Sequence, residues 1–175
     1  MLEATYRLLA NNGHAATSID AIARESRVSK MTIYKWWPRR EGLLVDAFLR
    51  RAGLLLPFQP EGEPLAILRA HAAAYSVALA GEFGRVQLAV IAECIASSGS
   101  AAEFSERYLQ VRRDLGIGII QAGQQTGSIR SDTQAADLYD RVYGTLFYQS
   151  TFGLCAVTPS YAEGLVQTFL AISAE

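Results

Sequence analysis

The sequence has few of the residues that mark disulfide-rich or metal-binding proteins. It contains two cysteines and two histidines in 175 residues. Cys94 and Cys155 lie far apart in apolar surroundings, so we expect two small core residues in a reducing compartment. Neither His14 nor His71 lies at metal-ligand spacing from a cysteine or a carboxylate, which disfavours a zinc site. We therefore predict no metal and no cofactor.

Other functional signatures are also missing. No run of about 18 apolar residues is present, which excludes a membrane-spanning helix. Residues 1–3 have neither the basic nor the apolar segment that begins a signal peptide, so we expect a cytoplasmic protein. The chain contains no glycine-rich phosphate-binding motif and no Glu-x-x-His of a di-iron bundle, which disfavours an enzyme.

The chain is rich in helix-forming apolar residues. Half of its residues are hydrophobic and only five are proline, and the apolar residues recur mainly with the helical period. We predict an all-α protein of about nine helices, with the first over residues 2–12 and a long one over residues 101–126. Charge is unevenly distributed along it. Residues 1–51 carry nine basic and five acidic side chains, whereas the remainder is net acidic, so we expect one end to meet a polyanion.

Two serines and a proline divide residues 17–44 into a helix-turn-helix. Ser18 and Ser29 are suited to cap the starts of two helices, and Pro38 must end the second of them. Ile33 and Trp37 form the inner face of that second helix. Its outer face carries Lys30, Met31, Thr32, Tyr34 and Lys35. Cations, hydroxyls and helix N-termini together suit the phosphates and base edges of a DNA major groove.

At this point residues 2–48 resemble the DNA-binding domain of the TetR-type (tetracycline-repressor-type) regulators. The matching features are Asn12-Gly13, ATSIDAIA at 16–23, VSKMTIYKWW at 28–37 and PRREGL at 38–43. Together with the pattern, the resemblance implies a DNA-binding set of Thr17, Ser18, Lys30, Met31, Thr32, Tyr34, Lys35, Trp36 and Arg40. Met31 stands where the family commonly has a small residue, so we expect an operator preference unlike that of its relatives.

The resemblance also implies a helical body that binds an effector and dimerises through its last two long helices. We therefore expect a DNA-binding domain over residues 1–50 and a ligand-binding and dimerisation domain over residues 51–175. Polar groups on apolar faces give the candidate ligand-binding residues His71, Tyr75, Cys94, Phe104, Tyr108, Arg112 and Tyr143. Apolar stripes give the candidate dimer contacts Tyr139, Tyr143, Phe147, Leu165 and Phe169.

These features predict a homodimeric transcriptional regulator. We expect a repressor that a small-molecule effector releases from a palindromic operator. The alternative is a helical ligand-binding dimer that does not bind DNA. Two simpler interpretations remain at single features: the basic cluster as an ordinary solvated face, and the apolar stripes as the core of a monomeric bundle.

Overall fold

The computed structural model describes residues 1–58 and 61–172, which form helices and no strand. This confirms the predicted all-α class. The helices in chain order are α1 Leu2–Ala16, α2 Ile19–Ser26, α3 Lys30–Trp36, α4 Arg40–Leu55, α5 Pro64–Ala80, α6 Glu82–Ser98, α7 Ala102–Phe104, α8 Gln110–Thr126, α9 Ala135–Thr151 and α10 Pro159–Leu170.

The helix starts predicted from the sequence are confirmed by their hydrogen bonds. The side-chain oxygens of Ser18 and Ser29 accept from backbone N–H groups of α2 and α3, at 3.1 Å in each case. Thr158 caps α10 in the same way, and Pro159 occupies the first turn, where its missing N–H has no partner to lose. Helix α3 ends at Trp36, just before Pro38.

Helix α1 differs from the prediction at its C-terminal end. We expected Gly13 to end it, and Gly13 does leave the helical conformation, with a φ of 71°. Residues beyond Gly13 then form one more helical turn, so that α1 extends to Ala16 across a kink. Glycine has no Cβ and adopts this backbone conformation without steric strain, which is why the kink occurs there.

The predicted long helix over residues 101–126 is continuous but not uniform. It starts as α7, passes through a π-helical turn at Ser105–Leu109 and continues as α8. A π turn inserts an extra residue into the helix and changes which side chains share a face. With Ala102–Thr126 counted as one helix, the described part of the chain has the nine helices that the sequence predicts.

The described chain forms two compact units that are interleaved along the sequence. The first consists of Met1–Leu55 and Gly81–Leu109, so its helices α1–α4 are joined by α6 and α7. Its core is centred on the fully buried ring of Phe48, whose centroid lies 5.0 Å from Phe83, 5.3 Å from Phe104 and 4.9 Å from Tyr108. The boundaries of the two compact units therefore differ from the predicted boundary at residue 50 between the DNA-binding and ligand-binding domains. That functional division stays a prediction.

The second unit consists of Leu56–Ala80 and the chain from Gln110 onward. It packs α5, α8, α9 and α10 around fully buried residues such as Leu68, Leu138 and Val166. Helix α8 approaches α9 closely at Gly116, where an added Cβ would lie 2.3 Å from the ring of Tyr139. A glycine is thus required there for the two helices to meet.

None of the helices in the described residues is both long enough and apolar enough to cross a membrane.

Candidate DNA-binding surface and candidate ligand cluster

Helices α2 and α3 form a compact helix-turn-helix in the first unit. Ile22 and Ile33 are fully buried between them and the rest of the unit. The turn depends on Arg27, which adopts the left-handed conformation at a φ of 57° and donates its backbone N–H to the carbonyl of Ala23. This conformation lets only three residues separate α2 from α3, and it fixes which face of α3 is exposed.

The outer face of α3 carries large apolar side chains that are at least half exposed to solvent. Met31 is 84% exposed, Trp36 67% and Tyr34 50%. Burying a large apolar side chain stabilises a fold, so three exposed ones on one short helix indicate a surface that a partner covers. The polar residues predicted for DNA binding on this helix, Lys30, Thr32 and Lys35, are exposed as well.

Two of those polar residues have partners within the unit. The ammonium of Lys30 lies 2.5 Å from a carboxylate oxygen of Asp20, and this hydrogen bond raises the pKa of Lys30. The hydroxyls of Thr32 and Ser29 lie 2.9 Å apart. Lys35, by contrast, has no ion-pair partner among the described residues. It is therefore the α3 cation whose charge is available to a phosphate.

The two residues predicted just before α2 differ in exposure. Thr17 is completely buried, and its hydroxyl donates to the carbonyl of Gly13 at 2.7 Å. Its side chain therefore stabilises the kinked end of α1 in this conformation. Ser18 is exposed at the N-terminus of α2, where backbone N–H groups favour an anion. Of this pair, Ser18 has the accessible side chain.

Arg40, at the start of α4, faces the interior of the unit. Its Nε donates to Glu93 at 3.0 Å, and a second nitrogen contacts the other carboxylate oxygen. Ser97 also donates to Glu93, at 2.9 Å. Burial alone would raise the pKa of Glu93, but the hydrogen bonds from Arg40 and Ser97 hold it below its usual value. Arg40 also points one N–H at the carbonyl of Thr17, at 3.5 Å.

A cleft of about 280 Å³ adjoins the C-terminal end of α3. Trp37 lies at its wall, and its indole N–H donates to Asp46 at 2.6 Å. Arg107, from the π-helical turn, pairs with both Asp46 and Glu103. Sequence patterns do not bring Asp46 to this pair, because Asp46 lies on α4 whereas Glu103 and Arg107 are four residues apart on the later helix. The cleft is lined by Trp36, Trp37, Pro38, Arg39, Gly42, Asp46, Glu103 and Arg107.

The predicted ligand-binding residues are divided between the two units. Cys94, Phe104 and Tyr108 are buried in the first, where burial raises the pKa of the Cys94 thiol. The expectation that Cys155 is also a core residue is wrong, because Cys155 is exposed in the segment between α9 and α10. The other four, His71, Tyr75, Arg112 and Tyr143, belong to the second unit. In the second unit, His71, Arg112 and Tyr143 form a polar network.

His71 is the centre of that network. Its Nδ1 lies 2.8 Å from the hydroxyl of Tyr143, and its Nε2 lies 2.5 Å from a guanidinium nitrogen of Arg112. The same Arg112 nitrogen contacts the carbonyl of Leu56. Phe58 stacks on the imidazole of His71 with ring centroids 3.9 Å apart. The Arg112 guanidinium lies over the Phe58 ring, 4.5 Å from its centroid. Leu56 and Phe58 follow α4 and carried no signal in the sequence.

Electrostatics keep the groups of this network uncharged apart from Arg112. Burial, followed by the neighbouring charge of Arg112, lowers the pKa of His71 to about 3, so the imidazole is neutral near pH 7. Burial raises the pKa of Tyr143 well above its usual value. The cluster therefore presents a neutral imidazole and a neutral phenol beside one cation.

The predicted dimer contacts differ in what they expose. Tyr139 and Tyr143 are buried within their own unit, stacked at 4.4 Å, and offer little surface to a partner. Their burial follows from the close approach of α8 and α9. The other three residues, Phe147, Leu165 and Phe169, are half-exposed. The sequence prediction missed Tyr148 near the end of α9 and Phe152 just beyond it, two exposed apolar residues whose ring centroids lie 5.3 Å apart.

Comparison with known proteins assigns the family. A family model described as "Bacterial regulatory proteins, tetR family" matches residues 1–47, and one described as "Tetracyclin repressor-like, C-terminal domain" matches residues 60–169. The chain belongs to the TetR family. This confirms the resemblance drawn from the helix-turn-helix residues, and the family is one of DNA-binding transcriptional regulators.

Individual members of the TetR family match this chain over nearly its whole length. The "Uncharacterized HTH-type transcriptional regulator YdeS" of Bacillus subtilis (strain 168) is 32% identical over 95% of this chain and 84% of that protein. The crystal structure of TetR family transcription regulator SCO0332 matches with a TM-score of 0.78 at 26% identity, covering 95% of this chain and 92% of the other. The regulator FadR from Bacillus subtilis, solved with stearoyl-CoA, has the same fold, with a TM-score of 0.75 at 17% identity and coverage of 97% and 95%.

Proposed function

We propose that this chain is a homodimeric repressor that a small-molecule effector releases from a palindromic operator. The observation that carries the proposal is the outer face of α3, where Met31, Tyr34 and Trp36 are exposed beside the unpaired cation of Lys35. Exposed apolar groups next to a cation suit a duplex, which offers thymine methyl groups and phosphates side by side. Such a repressor acts on chromosomal DNA, so we place it in the cytoplasm.

Within the proposed surface the residues divide by task. Lys30, Met31 and Thr32 lie in the first turn of α3, from which side chains reach base edges in helix-turn-helix proteins. Lys35 is suited to a backbone phosphate. The remaining candidates at the surface are Ser18, Tyr34 and Trp36. Thr17 and Arg40 would act by positioning these residues, since Thr17 is buried and Arg40 is held by Glu93.

Dimerisation would place two such surfaces on one DNA. Two recognition helices must lie about 34 Å apart to enter successive major grooves on the same side of a duplex. Exposed apolar side chains at Tyr148 and Phe152 support an interface at the C-terminal end of α9. Leu165 and Phe169 of α10 are half-exposed and would add to it. Residues 51–175 would thus carry the partner contacts, and residues 1–50 the DNA contacts.

The effector would act by binding one dimer conformation better than the other. Shifting a conformational equilibrium from 1:99 to 99:1 requires about 5.5 kcal/mol of preference. The similarly folded FadR was solved in complex with stearoyl-CoA, which supports a small-molecule effector for this chain. The candidate site is the network of His71, Arg112 and Tyr143.

The central experiment measures DNA affinity as a function of salt for Lys35→Ala. We expect weaker binding to every sequence and a salt slope smaller by about 0.9, because one phosphate contact is lost. Arg85→Ala is the matched control, since Arg85 is an exposed cation on α6, away from the proposed surface. If Lys35→Ala and Arg85→Ala behave alike, the proposed surface is wrong.

Thr32→Ala and Arg40→Gln test the division of tasks. Thr32→Ala should change base preference at one operator position while leaving the salt slope intact. Arg40→Gln should weaken binding through the lost contact with Glu93, also without a change of slope. A slope reduced by about 0.9 in Arg40→Gln would instead make Arg40 a phosphate contact.

The dimer is tested by charge substitution at the exposed apolar face. Phe152→Glu together with Tyr148→Glu should give monomers by light scattering, because burying two carboxylates at an interface is costly. Val77→Glu is the control, as Val77 is a comparably exposed apolar residue on α5. Dimers that survive the α9 double variant would exclude this interface.

A helical ligand-binding dimer without DNA binding remains the second candidate. The pairing of Lys30 with Asp20 and of Thr32 with Ser29 favours it, because these groups are satisfied without DNA. Filter binding to genomic fragments at two salt concentrations separates the candidates. Affinity that falls steeply with salt supports the repressor, and absent binding supports the alternative.

A further inference from the structure

The two adjacent arginines of α8 differ in how their charge is compensated. Arg113 forms a two-point ion pair with Asp140, with N–O distances of 2.8 and 2.7 Å. Arg112 is half-buried, and none of the ion pairs formed between described residues includes it. A half-buried cation without a nearby anion is electrostatically unfavourable, so the position of Arg112 calls for an explanation.

The donor character of Arg112 favours one position for the proton on the neutral ring of His71. Arg112 is always a donor, so the Nε2 it contacts must be the acceptor. The neutral imidazole then carries its proton on Nδ1, which donates to the hydroxyl oxygen of Tyr143. Tyr143 is consequently an acceptor in this bond, and its own O–H must point elsewhere.

Donors therefore outnumber acceptors in the cluster. One nitrogen of Arg112 serves both His71 and the Leu56 carbonyl, and its Nε and other terminal nitrogen have no hydrogen-bond acceptor among the described residues. The O–H of Tyr143 also lacks an acceptor, because its one hydrogen-bond partner within the described chain is His71, from which its oxygen accepts. Tyr143 is only 7% exposed, so water reaches its hydroxyl poorly.

A purely structural role for Arg112 explains part of this arrangement. The contact with Leu56 satisfies a carbonyl just beyond the end of α4, and the stacking on Phe58 orients the following segment. Neither contact neutralises the charge or supplies an acceptor for the phenol. What the cluster lacks is a group with negative charge and at least two acceptor oxygens.

We infer that the effector carries an anionic oxygen group, a carboxylate or a phosphate, that accepts hydrogen bonds from Arg112 and Tyr143. The planar guanidinium matches either group in a two-point contact. The rings of Phe58 and Tyr75 would border the rest of the molecule with apolar surface, since Tyr75 lies 6.0 Å from Tyr143 between ring centroids. This inference rests on the proposed effector response for the location of the site.

The test uses thermal melting of the full chain with matched pairs of probes. The probes are straight-chain carboxylates from acetate to decanoate, benzoate and phenylacetate, each beside its primary amide, together with inorganic phosphate. An amide keeps the shape of its acid without the charge. We expect at least one acid or phosphate to raise the melting temperature at millimolar concentration, and its amide not to do so.

Three variants locate the effect. Arg112→Gln should weaken the binding of an acid about 10- to 100-fold, the range for loss of charge-assisted hydrogen bonds. Tyr143→Phe should weaken it less, since only one O–H is lost. Arg113→Gln is the control and should leave binding unchanged, because Arg113 is committed to Asp140. The inference is overturned if no acid or phosphate binds, if amides bind equally well, or if binding persists in Arg112→Gln.

A DNA-binding measurement keeps this outcome separate from that of the proposed function. An acid that binds through Arg112 but leaves DNA affinity unchanged supports the anion site and contradicts the effector-controlled release. An effector of neutral or cationic chemistry that releases DNA without Arg112 supports the repressor and overturns the anion site.

Discussion

The α3 surface of the first unit and the His71 cluster of the second are built in opposite ways. The surface comes from one stretch of seven residues, and its side chains are exposed with Lys35 left unpaired. The cluster is assembled from Leu56, Phe58, His71, Arg112 and Tyr143, which span almost half of the chain. One site is local in sequence and open to solvent, and the other is distant in sequence and mostly buried.

The difference shows how each kind of site is held in place. On α3, helix caps at Ser29 and the turn at Arg27 orient every side chain at once, so few tertiary contacts are needed. In the cluster, each polar group is oriented by another polar group, and the removal of one leaves a buried donor or acceptor without its partner. Substitutions on the α3 surface should therefore have little effect on stability, whereas a substitution in the cluster should also disturb the polar groups that it contacts.

The largest expected effect concerns the aromatic core of the first unit, away from solvent. Phe48→Ala should lower the free energy of unfolding by about 3–5 kcal/mol, since it removes a ring that contacts three other aromatic rings. Met31→Ala is the control on the exposed side and should change stability by less than about 0.5 kcal/mol. Chemical denaturation measures both. Similar losses for the two variants would contradict the contrast between core and surface.

A pH-dependent difference in stability is expected next, and it arises from His71 in the second unit. Because His71 has a pKa of about 3 when folded and an ordinary value of 6.5, only the unfolded chain binds its proton between those values. Stability contributed by the neutral imidazole is therefore lost as pH falls from about 6.5 towards 3.

His71→Asn removes this titration. Between pH 7 and pH 4.5 the parent chain should lose roughly 3 kcal/mol of stability relative to His71→Asn. The loss amounts to about 1.4 kcal/mol for each pH unit below 6.5. Urea denaturation at both pH values measures it. A difference that stays constant with pH would show that the imidazole of His71 is not held neutral.

A smaller effect separates two glycines on α8. Gly116→Ala should destabilise the fold by about 1–3 kcal/mol, because its Cβ would lie 2.3 Å from the Tyr139 ring. Gly118→Ala, two residues on, meets nothing within 4 Å and should stabilise the helix by up to about 1 kcal/mol. Thermal denaturation distinguishes opposite signs. Equal signs would mean that α8 and α9 are further apart than described.

The smallest effect separates the structural and DNA-binding roles of Ser29. Ser29→Ala should cost about 1 kcal/mol of stability through loss of the α3 cap. Ser29→Asp should preserve stability, because aspartate caps helices well, but should weaken DNA binding through repulsion between its charge and the phosphates. Denaturation and filter binding are measured on the same samples. Unchanged DNA affinity in Ser29→Asp would place this end of α3 away from the duplex.

The sequence predicted the first unit in more detail than the second. Caps at Ser18 and Ser29, the end of α3 before Pro38 and the buried face at Ile22 and Ile33 all follow from neighbours within four residues. The π-helical turn before α8 was not predicted, because it changes the helical register without changing the apolar composition. The buried position of Tyr139 was not predicted either, since it depends on a close approach to Gly116 of another helix. That of Thr17 was not predicted because it depends on the kink at Gly13.

The sequence by itself determined the all-α class, the helix-turn-helix and the family, because caps, turns and helical periodicity act over short distances. Tertiary structure alone decided that Arg40 contacts Glu93, that Tyr143 faces His71, and that Arg112 has no carboxylate partner in the described chain. The contacts of Arg40 with Glu93, of Tyr143 with His71 and of Arg112 with His71 each join residues more than 40 positions apart. A polar side chain has the same appearance in a sequence whether it is paired or unpaired, and only the fold brings its partner within hydrogen-bonding distance.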